Sequence, residues 1–458
     1  MGLHRNPQTG AAVLPAADAA ASALSPPPPP PASAESVSPV ALLHREILGR
    51  IEPAEAVRLS EAELRARVWQ LVVEIGAERR LLLNSKEQQQ VARELVDDMI
   101  GHGPLEPLLE DPTVSDILVN GWRQVYVERK GKLELTGIHF RDDLHVMHMA
   151  QRIATLVGRR IDQSSPMLDA RLADGSRVNV VIPPLSLKGP AISIRKFSKS
   201  FIDFARMVSL KTASSELARA LEIIARCRLN ILISGGTGSG KTTLLNAMSG
   251  MIDPRERIVT IEDTAELQLQ QPHVVQLESR PANVEGEGQV TQRDLVRNAL
   301  RMRPDRIIVG EVRGPEAFDM MQAMNTGHNG SMSTVHANTA HDALSRLENM
   351  VLMANLNLPS RAIRNQIASA LDVIVQIERM RDGTRRITEV AEVVGLEGET
   401  LVLAPLFTFK FIGEDVDGSL RGTFEASGIR PRFLNRLAYY GLEQAFLDAI
   451  AVKDPPSS

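Results

Sequence analysis

The chain has 458 residues, a formal net charge of −4 at pH 7 and 43% hydrophobic residues. This length gives room for about three domains and a large core. The mildly acidic balance, together with only 3% aromatic residues, excludes a global attraction to nucleic acid or anionic lipid and argues against stacking platforms for single strands. We therefore expect no nucleic-acid partner.

The sequence contains no apolar run long enough to span a bilayer and no signal peptide. We expect a cytoplasmic protein without direct membrane insertion, which contacts a membrane only through partners. The single cysteine, Cys227, lies in an apolar helical run. It cannot form an internal disulfide, and we expect a buried structural thiol.

The first 40 residues are rich in Ala, Pro and Ser and include six consecutive prolines at 26–31. This composition favours an extended chain, so we expect residues 1–40 to be a disordered arm. Over residues 41–85 the pattern becomes helical, with apolar residues at helical spacing at Leu64, Val68, Leu71, Val72 and Ile75. We predict a small helical bundle or hairpin there. Packing within this bundle is a simpler explanation of the apolar face than docking of a partner.

Residues 86–202 predict an α+β domain with an antiparallel sheet. Helices are expected over 91–100 and 142–157. Short β-type runs lie at 116–119, 124–128, 132–137, 168–172, 177–182 and 191–197. The dipeptide Asp174-Gly175 between two of these runs is a hairpin turn signal.

A linker over 203–215 leads to the third region, residues 216–458. Its apolar strands at 231–234, 258–261, 306–309 and 331–335 alternate with helices, which predicts a mostly parallel sheet with ligands at the carboxyl ends of its strands. We also predict strands at 372–378 and 385–394, joined by an Asp382-Gly383 turn. A last helix over 432–451 makes the end of the chain a helical subregion.

The strongest motif lies between Leu229 and Met248. An apolar strand runs into a glycine-rich turn that opens a helix, and the turn consists of Gly235, Gly236, Thr237, Gly238, Ser239, Gly240, Lys241, Thr242 and Thr243. This is the arrangement of a phosphate-binding loop, in which glycines and the helix N-terminus direct backbone N–H groups at phosphate oxygens. We expect Lys241 to contact the β/γ-phosphates and Thr242 to ligate Mg²⁺. The sequence therefore predicts a nucleoside triphosphate site.

Two acidic residues follow apolar strands of the same region. Glu262 comes after residues 258–261, and Glu311 comes shortly after residues 306–309. Triphosphate hydrolysis needs Mg²⁺ and a polar group that orients the attacking water. We assign Glu311 as the water-polarising base and Glu262 to the metal–water shell, where both would reach the ion through water. Each carboxylate alone is also consistent with a solvated strand end.

Further polar candidates lie in the loop and strand at 326–338 and in the preceding domain. His328 and His336 are eight residues apart, which does not match helical zinc spacing; a γ-phosphate sensor and a structural histidine fit the residue types equally well. Arg177 and Arg195 lie on predicted strands of the α+β domain. If domain closure brought them to the phosphates they would neutralise charge there, although spacing alone favours ordinary exposed strand arginines.

Four blocks of the third region resemble the type II/type IV secretion ATPase superfamily, whose best-known members are GspE-like. In family order, residues 235–243 resemble its Walker A motif, 258–267 its Asp box, 300–313 its Walker B motif and 326–338 its His box. Residues 103–121 and 191–197 (Ala-Ile-Ser-Ile-Arg-Lys-Phe) resemble the CpaF branch, the ATPases of tight-adherence (Tad/Flp) pilus assembly. The likeness covers roughly residues 41–450.

The resemblance implies a hexamer of subunits in which a PAS-like N-terminal domain precedes a RecA-like P-loop domain, with ATP and Mg²⁺ between them. It implies that Arg177 and Arg195 are γ-phosphate arginines and that His328 and His336 are the His-box residues. It also implies that Arg313 matches the arginine after the Walker B glutamate. The four-cysteine metal cluster of many superfamily members cannot form, since the chain has one cysteine, and we expect no structural zinc.

We therefore expect a cytoplasmic ATPase, peripheral to the inner membrane, that powers assembly of a Tad/Flp pilus through inner-membrane platform proteins, with retraction as a further option. One alternative is a conjugation or type IV secretion ATPase that translocates DNA or protein. The other is a nucleotide-gated scaffold that does not hydrolyse ATP.

Overall fold

The structure is a computed structural model that describes residues 43, 46–47, 50, 59–81, 83–129, 131–197, 202–282, 287–354, 357–416 and 418–452. The predicted arm at 1–40 lies outside these residues. The chain divides into two compact units, Met1–Gly101 and His102–Ser458.

The first unit contains helices α1 (Glu61–Glu78) and α2 (Ser85–Ile100). Each begins with a capping box, formed by Ser60 with Glu63 and by Asn84 with Glu87. The five apolar residues that carried the helical prediction are buried with Val91, Ala92, Leu95 and Val96 in one core. The predicted helix at 91–100 therefore starts earlier and belongs to the first unit, because its apolar face packs on α1.

The second unit opens with a 3₁₀ turn (Gly103–Leu105) and an α+β half. Its elements are α3 (Glu106–Glu110), β1 (Val114–Asn120), β2 (Gln124–Arg129), β3 (Lys132–Leu135), α4 (Asp143–Leu156), β4 (Met167–Arg171), β5 (Arg177–Val181) and β6 (Ala191–Arg195). The strands form one antiparallel sheet in the order β3-β2-β1-β6-β5-β4. The predicted strands and the Asp174-Gly175 hairpin are confirmed.

One face of this sheet packs on α4, and alternation along the strands leaves the other face polar. Cross-strand pairing aligns five charged residues in a single row of the polar face: Arg171, Arg177, Arg195, Asp116 and Glu128. The two arginines predicted as functional, Arg177 and Arg195, are direct partners in adjacent strands.

The second half carries helices α5 (Phe204–Ser209), α6 (Ser215–Arg226), α7 (Lys241–Ser249), α8 (Gln292–Ala299), α9 (Glu316–Asn325), α10 (Ala340–Leu352), α11 (Ser360–Ala370), α12 (Leu434–Tyr439) and α13 (Glu443–Ala449). Its strands are β7 (Ile231–Ser234), β8 (Ile258–Glu262), β9 (Val274–Glu278), β10 (Arg306–Val312), β11 (Met332–Val335), β12 (Val373–Arg379), β13 (Arg385–Glu397), β14 (Thr400–Glu414) and β15 (Leu420–Ala426). They form a sheet in the order β15-β14-β13-β12-β7-β11-β10-β8-β9.

The six strands from β12 to β9 in that order are parallel, and the buried runs of all but β9 separate two apolar cores. Helices α6 and α7 pack on one face, and α9, α10 and α11 pack on the other. This is a RecA-like α/β architecture behind an α+β half, so the predicted fold class is confirmed. Cys227 is buried after α6, as expected.

Two predicted segments differ from the structure. The linker at 203–215 contains helix α5, because Phe204 and Met207 are buried in the neighbouring core. The end of the chain is less helical than predicted, since β13, β14 and β15 extend the sheet with antiparallel strands. The predicted last helix is two short helices, α12 and α13. Gly441 lies between them with a φ of +67°, a conformation that interrupts a helix.

None of the helices in the described part of the chain is both long enough and apolar enough to cross a membrane.

A buried ion pair joins the amino ends of the parallel strands. The Arg306 side chain is fully buried and donates two hydrogen bonds to Glu256, of 2.7 and 3.1 Å, and further bonds to the carbonyl oxygens of Ala225 and Gly330. Arg228 adds a second contact to Glu256 at 3.0 Å. Gly330 has a φ of +86°, and a Cβ there would lie 2.7 Å from the Arg306 guanidinium. These residues therefore form one closely packed cluster, in which Gly330 leaves the space that the Arg306 guanidinium occupies.

We predict that Arg306→Met lowers the free energy of unfolding by about 3 kcal/mol or more, because it leaves Glu256 and two carbonyl groups buried with too few donors. The measurement is the urea midpoint of the transition that reports the second unit. Arg255→Ala is the matched control, since Arg255 pairs with Asp253 on the surface with 89% of its side chain exposed, and we expect no measurable change. Equal midpoints for both variants would contradict a structural role for the buried pair.

Candidate functional site

The glycine-rich turn joins β7 to α7 at the carboxyl edge of the parallel sheet. Gly238 and Gly240 have φ angles of +68° and +102°, which side chains rarely adopt. Gly240 is the N-cap of α7 and provides no side-chain cap, so the first N–H groups of the helix have no such partner. The turn therefore presents free backbone donors and the positive end of a helix to one point.

Packing explains why the first glycine of the turn cannot carry a side chain. A Cβ on Gly235 would lie 2.3 Å from the carbonyl oxygen of Ile377 in β12 and 2.5 Å from the hydroxyl of Ser239. Ser239 in turn donates to the carbonyl of Gly236 at 2.9 Å. The start of the turn is thus closely packed against the neighbouring strand β12.

Lys241 folds over the turn that it follows. Its ammonium group donates to the carbonyl oxygens of Gly235 and Gly236, both at 3.0 Å. Burial lowers the pKa of Lys241, while the nearby carboxylate of Glu311 acts in the opposite direction. These neutral carbonyl partners can be exchanged for a charged phosphate oxygen, which makes stronger hydrogen bonds.

Glu262 ends β8 and is only 4% exposed. One carboxylate oxygen accepts from the backbone N–H groups of Glu266 and Leu267, at 2.7 and 3.0 Å. The other, Oε1, is buried without a hydrogen-bond partner in the described residues. Burial raises the pKa of Glu262 to about 7, although the two backbone bonds act to lower it.

Glu311 lies near the end of β10 and is held by an arginine. Arg313 donates to Glu311 Oε2 at 2.6 and 3.1 Å and lies 3.5 Å from Asp263. Gly310 separates the two strand ends, since a Cβ there would lie 2.8 Å from the Glu262 side chain. The two predicted carboxylates are therefore neighbours, one buried and one fixed by an ion pair.

The α+β half places its two opposed arginines beside this edge. Arg177 donates to Glu266 at 2.9 Å, which links β5 to the loop after β8. Arg195 donates to Asp116 at 3.1 Å within its own sheet. Because like charges directly opposite each other repel, both arginines need such acidic partners or an anion between them.

One cavity of about 770 Å³ contains nearly all of these groups. It is lined by the turn from Thr237 to Thr243, by Glu262, Glu311 and Arg313, by Arg177 and Arg195, and by His336. A smaller cavity of about 260 Å³ continues between the two arginines and α7. Every predicted site residue therefore lines this cavity except Gly235 and Gly236, which begin the turn, and His328.

The two histidines lie at opposite ends of β11. His336 directly follows the strand and lines the cavity. His328 precedes the strand, and its ring nitrogen Nδ1 contacts the carbonyl of Ala323 at 3.2 Å. Because the site lies at the carboxyl ends of parallel strands, the expected role of His328 in it is not supported by its position.

The sequence prediction missed six charged residues that line the cavity: Asp116, Glu128, Asp263, Glu266, Arg379 and Arg385. Glu266 follows Glu262 by four residues in a block that was otherwise assigned. The arginines flank the predicted Asp382-Gly383 turn, but their place next to the phosphate-binding turn depends on β12 pairing with β7, which are far apart in the chain.

The cavity fits a triphosphate with a divalent ion. The unpartnered Glu262 oxygen and the Thr242 hydroxyl are hard oxygen ligands of the kind Mg²⁺ takes, directly or through water. In the described part of the chain, no cluster of three or more His, Cys, Asp or Glu side chains could hold a metal by itself. A metal at this site would need ligands from the nucleotide and water.

The comparison with known families agrees with this geometry. The family model described as "Type II/IV secretion system protein" matches residues 98–395, well over half of the chain. The chain belongs to the type II/IV secretion system protein family. The match covers the α+β half and the parallel sheet, and so includes all of the site residues above.

Related proteins carry names from transfer and secretion. A putative conjugal transfer protein of Mycobacterium tuberculosis (strain H37Rv) is 41% identical over 312 residues, which are 67% of this chain and 88% of that protein. The type IV secretion system protein PtlH of Bordetella pertussis is 37% identical over 62% of this chain and 91% of its own length. Among solved structures, the VirB11 ATPase of the Brucella suis type IV secretion system, in complex with sulphate, is 30% identical over 63% of this chain and 95% of that chain, with a TM-score of 0.35.

The ionisation of Glu262 predicts a pH dependence of stability. A carboxyl group has a pKa near 4.5 when unfolded, whereas Glu262 keeps its proton to about pH 7 in the folded protein. The free energy of unfolding should therefore fall as pH rises from about 4.5 to about 7. Glu262→Gln removes this ionisation, and we expect it to be more stable than wild type by about 3 kcal/mol at pH 8 but by less than about 1 kcal/mol at pH 5.

The measurement compares denaturation midpoints at the two pH values without nucleotide. Glu397→Gln, at an exposed position on β13, is the control and should show no such difference. A Glu262→Gln effect of the same size at both pH values would show that the carboxyl group does not titrate in this range.

Proposed function

We propose that this chain is an ATP-hydrolysing motor of a membrane-bound secretion or filament-assembly machine. The observation that carries the proposal is the single cavity in which a phosphate-binding turn, two strand-end carboxylates and two arginines from a second sheet meet. Membership of the type II/IV secretion system protein family supports it.

The turn and Lys241 would bind the phosphate chain. Lys241 would exchange its contacts with two loop carbonyls for phosphate oxygens, while the free N–H groups at the start of α7 would take the remaining oxygens. Mg²⁺, when bound, neutralises charge on the β- and γ-phosphates; Thr242 would ligate it, with Glu262 and Glu311 reaching it through water.

Glu311 is the proposed base for the attacking water. Arg313 fixes its carboxylate by two hydrogen bonds, which makes Arg313 a positioning residue. The water attacks the γ-phosphorus, its proton passes to Glu311, and the bond from the γ-phosphorus to the bridging oxygen breaks to release ADP. His336, which lines the cavity at the end of β11, would contact the γ-phosphate.

Arg177 and Arg195 would connect the chemistry to movement. They lie on a different sheet from the phosphate-binding turn, so a triphosphate that pairs with both would draw the two halves together, and loss of the γ-phosphate would let them separate. A hexameric ring that passes this movement to inner-membrane partner proteins is part of the proposal.

The proposed ATPase could serve either of two kinds of system, a transfer or secretion system or a pilus-assembly system. Conjugal transfer or type IV secretion, with DNA or protein as cargo, is supported by the names of the relatives that match over most of their length. Assembly of a Tad/Flp pilus is supported by the likeness of residues 103–121 and 191–197 to the CpaF branch. In the structure, the first of these segments forms β1 and supplies Asp116, and the second forms β6 and supplies Arg195.

We predict that Glu311→Gln leaves MgATP affinity largely unchanged and lowers turnover by about 100-fold or more, because the base is lost while the phosphate contacts of the turn and Lys241 remain. Lys241→Ala, in comparison, should lose MgATP affinity itself. The measurements are equilibrium titration with MgATP and phosphate release by the purified chain. Wild-type turnover in Glu311→Gln would assign the base to another residue, and unchanged binding in Lys241→Ala would contradict the phosphate-binding role of the turn.

Deletion of the gene separates the two machines. If the motor serves a pilus, the surface filament should disappear and return with the wild-type gene but not with the Glu311→Gln gene. If it serves transfer, DNA or protein export should fail while filaments persist. Persistence of both, with both machines present in the strain, would contradict the motor proposal.

A further inference from the structure

A second pair of opposed arginines lies beside the phosphate-binding turn. Arg379 ends β12, Arg385 begins β13, and the two are direct cross-strand partners in the hairpin that closes at Asp382-Gly383. Both line the large cavity with Lys241. No predicted or assigned role accounts for either of them.

Both side chains lie beside Gly238 of the phosphate-binding turn. Arg385 donates from Nε to the carbonyl of Gly238 at 3.3 Å. A Cβ on Gly238 would lie 3.6 Å from an Arg379 guanidinium nitrogen. Arg379 itself donates to the carbonyl oxygen of Gly131, in the turn between β2 and β3, at 2.6 Å. One guanidinium thus spans the distance between the α+β half and the phosphate-binding turn.

The charge of this pair is not balanced as that of the first pair is. Arg177 and Arg195 each contact a carboxylate. Within the described ranges, neither Arg379 nor Arg385 lies within 4.0 Å of one, and their hydrogen bonds go to neutral carbonyl groups. Burial, and then the charge of Arg379, lowers the pKa of Arg385, while the more distant charge of Glu128 acts in the opposite direction. Two opposed cations without a carboxylate in contact repel each other, and an anion between them would relieve this repulsion.

The position of the hairpin in the sheet indicates which phosphates of the nucleotide the two arginines would bind. Glu262 and Glu311 lie on β8 and β10, which are on one side of β7 in the sheet, whereas β12 is the neighbour on the other side. In the proposed function the γ-phosphate and its water lie on the carboxylate side. The phosphates nearest the nucleoside would then lie at the opposite flank, beside the arginine hairpin.

We propose that Arg379 and Arg385 bind the nucleoside-proximal phosphates of the nucleotide held by the turn. This rests on the proposed function, and it adds a second arginine pair with a different task. The first pair responds to the γ-phosphate, whereas the second holds ATP and ADP alike. Arg379 would leave the Gly131 carbonyl to do so, which ties nucleotide occupancy to the β2–β3 turn.

The test measures the Kd of MgATP and of MgADP for Arg379→Gln, Arg385→Gln and the double variant. A charge-assisted hydrogen bond is lost in each, so we expect a rise in Kd of about tenfold per arginine, equal for the two nucleotides. Arg379→Lys should recover part of the affinity, because it keeps the charge without the planar fork. Arg381→Gln is the matched control from the same hairpin, since Arg381 pairs with Glu414 and does not line the cavity.

Three results would overturn the inference. The first is a double variant whose Kd values equal those of Arg381→Gln. The second is a loss confined to MgATP, which would place the pair at the γ-phosphate. The third is a lower melting temperature without nucleotide at unchanged Kd, which would reduce Arg379 to a tether for Gly131.

The comparison with Lys241→Ala separates this inference from the proposed function. If wild type binds MgATP, Lys241→Ala does not, and the double variant binds like Arg381→Gln, only the second arginine pair is wrong. If wild type itself does not bind MgATP, both proposals are wrong.

Discussion

The site depends on the contact between the backbone of Gly235 and the carbonyl oxygen of Ile377. A Cβ on Gly235 would lie 2.3 Å from that oxygen, so no side chain fits between β7 and β12 here. The two strands therefore meet backbone to backbone at the point where the turn begins. The contact fixes the path of the turn, the start of α7 and the direction of Lys241. It also brings the end of β12 to the turn, and with it a hairpin that comes more than a hundred residues later in the chain.

Two carboxylates of similar sequence context acquire different chemistry from their surroundings. Glu262 is enclosed by its own strand end and the following loop, and burial raises its pKa to about 7. Glu311 is fixed by Arg313 at the more open side. Burial and an ion pair thus give two neighbouring carboxyl groups different surroundings. The spacing of the motifs identified both residues, but only the packing distinguishes them.

The sequence was sufficient for the parts of the fold that follow from local patterns. The strand–turn–helix of residues 231–249 and the hairpin at Asp174-Gly175 were predicted because their signals lie within a few residues. Strand β14 was missed because Pro405 interrupts it and irregular pairing with β13 obscures its alternation. The buried pair of Arg306 and Glu256 was not predicted either, since nothing in a charged residue's own neighbourhood shows that it will be enclosed.

The same limit applies to the site. Arg177 and Arg195 are separated by an 18-residue interval in the sequence, and only antiparallel pairing makes them neighbours. His328 and His336 belong to one short block, yet a single strand carries them to opposite edges of the sheet. Distance along the chain is therefore a poor guide wherever a strand lies between two residues.

The carboxylates that already hold Arg177 and Arg195 have a consequence for the proposed turnover. Glu266 and Asp116 would compete with the phosphates for these arginines, so a nucleotide would gain only the difference between its own attraction and theirs. The same carboxylates would pair with the arginines again after the γ-phosphate has left, which favours rapid exchange over tight binding. The proposed motor, which must repeat its cycle, would benefit more from such reversible contacts than from strong ones.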